Sequence, residues 1–206
     1  MLKFFYSNGS SAVAAHILLE EVAASYEAIK VSIPNGDHLA PKFLRINPKG
    51  RIPVLLTPQS TITENPAILE YIAATHKDGA TLPLGPDAQA QARSLAAYLC
   101  ATAHVAFAHN HRGRRWAEQD ASVKDMQSNV ARNLTDCARF LEQEIDEGPW
   151  ALGRTYTYCD PYLFLMARWM AVVGLSITAF PKLSAHHDAM LARASTQKVL
   201  DIHGLS

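Results

Sequence analysis

The amino-acid sequence predicts an α/β domain followed by an all-α domain. In the first third of the chain, strand-like stretches alternate with helical ones, whereas only the helical period recurs after the stretch "HKDGATLPLGPDAQ". That stretch contains two glycines and two prolines without any periodicity, which is typical of a linker. We therefore expect domains at residues 1–77 and 88–206, joined by a linker at residues 78–87.

The first domain is predicted to run in the order β-α-β-α-β-β-α. Strands are expected in four stretches of alternating, β-branched or aromatic residues: "LKFFY", "YEAIKVSI", "RIPVLLT" and "STITEN". Helices are expected in three stretches between and after them: "AVAAHILLEEVAA", "PKFLRINP" and "PAILEYIAATH". Asn65 and Pro66 mark the start of the last helix, because asparagine is a good N-cap and proline loses no hydrogen bond at the first helical position.

The second domain is predicted to consist of helices alone. In "VKDMQSNVARNLTDCARFLEQEID", apolar residues recur every three or four positions along one face: Met126, Val130, Leu134, Cys137, Leu141 and Ile145. Three further helical stretches are "AQARSLAAYLCATAHVAFAH", "TYCDPYLFLMARWMAVVG" and "FPKLSAHHDAMLARAS". Thr157, three residues before Asp160, predicts a capping box at the start of one of these helices.

Composition and charge exclude several classes of protein. Hydrophobic residues make up 49% of the 206 residues and charged residues 18%, as in ordinary globular proteins. Lys plus Arg and Asp plus Glu both number 19, so the net charge is zero, which argues against a protein that mainly binds nucleic acid. The three cysteines lie far apart, and the N-terminus lacks the apolar run of a signal peptide. No apolar run approaches the length of about 18 residues that a membrane span needs, so we expect a reduced, cytoplasmic protein.

Motifs for nucleotide or zinc chemistry are missing from the sequence. It contains neither GxGxxG nor GxxxxGK[ST], and neither GxSxG nor HExxH. The stretch "HVAFAHNHRGRRW" does not have metal-ligand spacing, because His109 and His111 fall on different faces of a helix. We therefore expect no metal site, and the arginines of this stretch either solvate the surface or favour an anionic ligand.

The stretch "FFYSNGSSAVAAHI" passes from a strand through a hydroxyl-rich loop into a helix. The first N–H groups of a helix have no partner within it, and its dipole places partial positive charge there, so an anion such as a thiolate is stabilised at that end. Ser10 and Ser11 stand at this helix start. Each either caps the helix or donates a hydrogen bond to a bound anion.

Two other short stretches suit a peptide ligand. In "NPKGRIPVLL", a cis bond between Ile52 and Pro53 would turn the N–H and C=O of Ile52 outward, free to pair with an extended peptide. The alternative is an ordinary proline at a strand entry. In "TENPAI", Glu64 and Asn65 open a second helix whose N-terminus can hold a carboxylate, and the alternative there is an ordinary cap.

Five stretches, taken in order, point to a known family: "FFYSNGSSAVAAHI", "INPKGRIPVLL", "ITENPAILEYIA", "AHVAFAH" and "LGRTYTYCDPYLFLMARW". The ordered combination of NPKGxxP, TEN and a later GRxxTxxD is specific, although each piece alone is weak. Over its whole length the chain resembles the cytosolic glutathione transferases, most closely the bacterial beta class. The resemblance implies a thioredoxin-like N-terminal domain, an all-α C-terminal domain and a homodimer.

The resemblance also implies a glutathione site in the first domain. The tripeptide backbone is expected to pair with Ile52 before Pro53, and the γ-glutamyl carboxylate is expected at Glu64 and Asn65. Asn65 departs from the serine or glycine that the family usually has, although its amide can still donate a hydrogen bond. The remaining glutathione-binding candidates are His38 and Arg51.

At the sulfur end of glutathione, the beta class has a tyrosine and a cysteine, and the matching positions here are Tyr6 and Ser11. A serine cannot form a mixed disulfide, so the resemblance implies a hydroxyl that donates to the glutathione thiolate. Ser10 is the neighbouring rival donor. His104 matches a histidine that reaches the sulfur region in the beta class, and its alternative is an ordinary core residue.

The implied function is attack of the glutathione thiolate on an electrophilic, largely apolar second substrate, in a detoxifying transferase. Glutathione is then a co-substrate and no other cofactor is expected. The electrophile pocket is expected in the helical domain, with Phe107, Trp116 and Trp169 as its walls, although such residues also serve as core. The alternative functions are a glutathione-binding or interaction protein with little catalysis, and a glutathione-dependent lyase or isomerase for one metabolite.

Overall fold

The computed structural model describes residues 1–76 and 80–205, which form two compact units. The first unit combines Met1–Leu84 with Met190–Ser206, and the second is Gly85–Ala189. The predicted linker begins at residues 78 and 79, which lie outside the described residues.

The first unit is built on a four-stranded mixed sheet. Its elements from the N-terminal part of the chain are β1 (Leu2–Tyr6), α1 (Ala12–Glu21), β2 (Tyr26–Lys30), α2 (Pro41–Leu44), β3 (Val54–Leu56), β4 (Thr61–Thr63) and α3 (Asn65–Thr75). The strands lie in the order β2-β1-β3-β4, with β1 parallel to β2 and antiparallel to β3. The β-α-β-α-β-β-α order predicted from the sequence is confirmed.

Alternate residues of β1 supply the two apolar faces of this sheet. Phe4 is fully buried on the side of α1, with its ring centroid 5.3 Å from that of His16. Phe5 points the other way and meets Phe43 of α2, with ring centroids 6.0 Å apart. Both faces of β1 are therefore covered, which fixes the register of the strand that leads into the Ser7–Ser11 loop.

A helix that the sequence analysis did not predict, α9 (Ala194–His203), belongs to the first unit. It packs on α1, and its start is fixed by Arg193, whose Nε donates to Glu21 Oε2 at 3.0 Å. Lys198 Nζ donates to Glu20 Oε2 at 2.7 Å farther along the helix. The contacts thus group residues 190–206 with the first unit, whereas the division drawn from the sequence placed them in the helical domain.

Two buried histidines connect α9 with α1. The backbone N–H of Gly9 donates to His203 Nδ1 at 3.3 Å, so the proton of His203 lies on Nε2. That Nε2 lies 2.9 Å from His16 Nδ1, which therefore accepts. Burial lowers the pKa of His16 to about 4 and that of His203 to about 3, so both rings are neutral at pH 7.

The second unit consists of packed helices. They are α4 (Pro86–Tyr98), a π-helical segment (Leu99–Ala103), α5 (His104–Arg112), α6 (Asp120–Glu144), α7 (Asp160–Val172) and α8 (Pro181–Leu191), the last of which extends past the unit's border. The predicted face of α6 is buried from Val130 to Ile145, and α7 is buried along almost its whole length. Half of the predicted capping box is present, because the Thr157 N–H donates to Asp160 Oδ2 at 2.6 Å, whereas the N-cap of the helix is Cys159 and has no side-chain capping bond. Over the described ranges, none of the helices combines the length and the apolar character that crossing a membrane requires.

The His16–His203 pair predicts acid-sensitive stability in the first unit. Both histidines have lowered pKa values in the fold, so the unfolded chain binds more protons below about pH 6.5 and the free energy of unfolding falls as the pH drops. The charges that face the pair, Glu20, Lys198 and Lys30, oppose one another in part. Urea denaturation between about pH 5 and 7 should show a shallower pH dependence for His203→Gln than for wild type. Parallel curves for the two proteins would contradict this assignment.

Candidate active site

The loop from Ser7 to Ser11 brings two serines to the start of α1, and their hydroxyls are used differently. Ser10 Oγ donates to the Ser7 carbonyl at 2.7 Å and accepts from the Ala12 N–H at 3.3 Å, so it holds the loop and caps the helix. Ser11 stands at the N-cap position, but its hydroxyl makes no capping bond. Instead Ser11 Oγ donates to the Ile52 carbonyl at 3.4 Å, a long hydrogen bond.

The segment that faces Ser11 contains a cis peptide bond between Ile52 and Pro53. The Ile52 carbonyl accepts the long bond from Ser11. Within residues 1–76 and 80–205, the Ile52 N–H has no backbone or side-chain acceptor. One residue of this loop thus presents both backbone groups that an extended peptide needs for pairing.

A second helix N-terminus, that of α3, meets the same loop. The helix begins at Asn65, so Glu64 is its N-cap, one residue earlier than the sequence predicted. Glu64 has a φ of 71°, which is costly for a residue other than glycine, and its carboxylate pairs with Lys49 Nζ. Asn65 is buried and its Nδ2 donates to the Ser11 carbonyl at 2.7 Å. Ser11, Ile52 and Asn65 therefore lie together.

His38, in a short 3-10 helix (Asp37–Leu39), and Arg51, in a loop, belong to two segments that pack closely against each other. A side chain at Gly50 would approach the His38 carbonyl to 3.2 Å and a Leu39 methyl to 2.9 Å, so the close approach needs a glycine. Asn47 Nδ2 donates to the Arg51 carbonyl at 2.8 Å and fixes the turn before the cis bond. The Arg51 side chain is exposed, while His38 Nδ1 is buried without a hydrogen-bond partner in the described part of the chain.

Tyr6 lies in the packing between β1, α1 and α9. Its ring centroid is 5.1 Å from that of His16 and 4.9 Å from that of His203. The side chain is 8% exposed. The ring is thus part of the support behind the loop that carries Ser10 and Ser11.

In the second unit, three of the predicted residues form one aromatic cluster. The rings of Phe107 and Trp169 stack at 4.4 Å, and the His104 ring meets Trp169 at 4.9 Å. His104 Nδ1 lies 3.1 Å from the Tyr162 hydroxyl, which fixes the ring orientation. Trp116 is about half exposed and packs on the His109 ring instead.

Comparison with known proteins decides the family. Residues 2–74 match the model of the glutathione S-transferase N-terminal domain. A solved glutathione transferase homologue from Sulfitobacter, with bound glutathione, is 39% identical over 100% of this chain and 99% of its own, with a TM-score of 0.95. The chain belongs to the glutathione S-transferase family.

Other relatives agree with that assignment to the glutathione S-transferases. A bacterial beta class enzyme from Sphingomonas chungbukensis is 30% identical over 99% of this chain and 100% of its own, with a TM-score of 0.86. Glutathione S-transferase GST-4.5 of Xanthomonas campestris pv. campestris is 28% identical over the full length of both chains. The resemblance and the fold class predicted from the sequence are confirmed, whereas the role of Ser11 in place of the family's cysteine stays a prediction.

Sequence reasoning missed two residues that support the candidate site. Lys49 Nζ donates to Thr63 Oγ1 at 2.6 Å as well as pairing with Glu64. His203 holds the loop at Gly9 from a position 194 residues away. The motif NPKG already contained Lys49, but nothing local in the sequence indicates a partner at the far end of the chain.

The two serines are predicted to differ in their effect on stability. Ser10→Ala removes a donor and a cap at once, and should lower the free energy of unfolding by about 1 kcal/mol. Ser11→Ala removes only a long hydrogen bond and should change stability by less than about 0.5 kcal/mol. Urea denaturation of both variants provides the measurement. A larger loss for Ser11→Ala than for Ser10→Ala would show that the hydrogen bonds are assigned to the wrong serine.

Proposed function

We propose that this glutathione S-transferase binds glutathione along the Ile52 loop and delivers its thiolate to an electrophilic, largely apolar second substrate. The observation that carries the proposal is the backbone of Ile52 beside the cis bond, with an N–H that no described residue accepts and a carbonyl that Ser11 contacts only at 3.4 Å. The cysteinyl residue of a tripeptide supplies one matching acceptor and one matching donor.

The two ends of the tripeptide then fall on different groups. The γ-glutamyl carboxylate is placed at the start of α3, where Glu64 and Asn65 open the helix and the helix dipole favours an anion. The glycyl carboxylate is assigned to the side of Arg51 and His38, because the exposed guanidinium offers a positive charge there. Pro53 serves by keeping the Ile52 backbone groups turned toward the ligand.

Ser11 is the hydroxyl best suited to meet the glutathione sulfur. A hydroxyl has a single hydrogen, and that of Ser10 is already donated at 2.7 Å to the Ser7 carbonyl. The hydroxyl hydrogen of Ser11 makes only a long hydrogen bond to the Ile52 carbonyl. When the cysteinyl N–H of glutathione donates to that carbonyl instead, the Ser11 hydroxyl can rotate and donate to the thiolate. Tyr6 is the remaining rival, and Tyr6→Phe keeps its ring packing while removing the hydroxyl.

The chemical step needs only the activated thiol. The glutathione thiol loses its proton to solvent, the thiolate forms a carbon–sulfur bond, and the leaving group departs with its electron pair. We assign the electrophile to the aromatic side chains of the second unit, namely His104, Phe107 and Trp169, with Trp116 as a further apolar surface. His104, held by Tyr162, is the group of this cluster that can contribute a hydrogen bond.

The finer expectations of the family are part of the proposal. The protein is proposed to act as a homodimer in the cytoplasm, in detoxification, with glutathione as its co-substrate and no further cofactor. Residues 1–77 would bind glutathione and residues 88–206 would supply the second-substrate pocket. Analytical ultracentrifugation tests the dimer, and a mass of one chain at micromolar concentration would contradict it.

Kinetics with a generic aryl halide separate the three hydroxyls. Ser11→Ala should lower kcat/KM at neutral pH about 10- to 100-fold, because the loss of a charge-assisted hydrogen bond raises the pKa of the bound thiol. Ser10→Ala and Tyr6→Phe should each cost less than Ser11→Ala, because the Ser10 hydroxyl hydrogen is already donated to the Ser7 carbonyl and the Tyr6 ring packs behind the loop against His16 and His203. Equal rates for wild type and all three variants would rule out thiolate activation by these hydroxyls.

A further inference from the structure

The two proposed ends of the glutathione site are joined inside the protein by one side chain. Asn65 stands at the start of α3, where the γ-glutamyl group is placed, and its Nδ2 donates to the carbonyl of Ser11, where the sulfur is placed. The bond is short, 2.7 Å, and both residues are buried, with exposures of 4% and 8%. Water therefore competes little for it.

This connection depends on asparagine. A serine, the residue that the resemblance leads one to expect here, carries its hydroxyl directly on Cβ, one bond nearer the backbone than the amide nitrogen of asparagine. A serine at position 65 would still offer a donor to a carboxylate at the helix start, but its hydroxyl would fall short of the Ser11 carbonyl. The residue type in this chain thus adds a link that the expected residue lacks.

The amide oxygen of Asn65 is the second atom of interest. Asn65 Oδ1 is buried and has no hydrogen-bond partner in the parts of the chain that are described. A buried acceptor left without a donor costs about 1–3 kcal/mol and calls for an explanation. The α-ammonium of a γ-glutamyl group is a donor of the right kind, and the proposed binding pose brings it to the start of α3.

We propose that Asn65 is a positioning residue that couples occupation of the γ-glutamyl subsite to stabilisation of the glutathione thiolate at Ser11. The inference rests on the proposed function and deepens it. Through Oδ1 the amide accepts from the ligand ammonium, and through Nδ2 it holds the Ser11 carbonyl. Holding the Ser11 carbonyl in place fixes its peptide plane and the direction of the Ser11 Cα–Cβ bond. The position of the hydroxyl then depends only on the side-chain rotamer of Ser11.

Asn65→Ser tests the coupling, because it retains a donor at the helix start and removes the reach to Ser11. The pKa of the bound glutathione thiol, read from the pH dependence of kcat and from the ultraviolet absorbance of the thiolate, should rise by about 0.5 to 1 unit. That shift corresponds to a three- to tenfold smaller thiolate fraction on the acid side. An unchanged thiol pKa would overturn the proposal.

Tyr26→Phe is the control. The partly buried Tyr26 of β2 donates its hydroxyl to Glu20 Oε1 at 2.5 Å, in the first unit but on none of the loops proposed to bind glutathione. Its replacement should lower the melting temperature, yet leave the thiol pKa where it is. An equal rise of the thiol pKa in both variants would mean that any loosening of the unit has this effect, and would overturn a specific role for Asn65.

A double-mutant cycle shows whether Asn65 acts through Ser11. In a Ser11→Ala background, Asn65→Ser should no longer move the thiol pKa, because the hydroxyl that it positions is gone. A full shift in that background would refute the coupling. Should Asn65→Ser fail to fold, Asn65→Leu has a similar size without donor or acceptor and enters the same cycle.

Glutathione binding itself is measured separately by thermal stabilisation of the wild-type chain. A rise in melting temperature at millimolar glutathione supports the proposed function, and no rise refutes the function and the coupling together. If wild type is stabilised but the thiol pKa is the same in Asn65→Ser, the proposed function stands and the coupling alone is wrong.

Discussion

The hydrogen bond from Asn65 to the Ser11 carbonyl joins segments that lie 54 positions apart, and the arrangement of the site depends on that junction. A tripeptide has a fixed length, so the groups that meet its γ-glutamyl end and its sulfur have to keep a fixed separation. Under the proposed function the starts of α3 and α1 are those two places, and Ile52 lies against Ser11. A site built from three loops gains its geometry from such cross-links, because each loop alone has many conformations.

The Ser7–Ser11 loop is held from a second direction by α9. His203 accepts from the Gly9 N–H, and its other ring nitrogen meets His16 of α1, so the last helix of the chain fixes both the loop and the helix that follows it. Such an arrangement needs both rings neutral, which their burial ensures near pH 7. The C-terminal helix is therefore part of the support of the site.

The local sequence pattern was enough to predict the parts of the fold that follow from hydrophobic periodicity or from the conformational preferences of single residues. It predicted the order of strands and helices from β1 to α3, the buried face of α6 and the bond from the Thr157 N–H to Asp160, all of which the structure contains. It could not predict the contacts of α9, or the bonds from His203 to Gly9 and from Asn65 to Ser11, because these join residues far apart in the chain. The sequence predicted both Ser10 and Ser11 at the helix start. Only the geometry shows that the Ser10 hydroxyl holds the loop, whereas the Ser11 hydroxyl makes just one long hydrogen bond.

The first unit contains no cysteine, since Cys100, Cys137 and Cys159 all lie within Gly85–Ala189. Under the proposed function, the sulfur chemistry in this unit then belongs to glutathione alone, whose thiol is expected to titrate near about 8.5. A helix N-terminus contributes about 0.3–1 kcal/mol to an anion, less than one pKa unit, and leaves the thiol mostly protonated at neutral pH. A hydrogen bond to a charged group contributes about 1.5–3 kcal/mol, or one to two units, which is enough to make the thiolate a major form. The hydroxyl donor is thus the decisive group, and its value depends on being held in place before the ligand arrives.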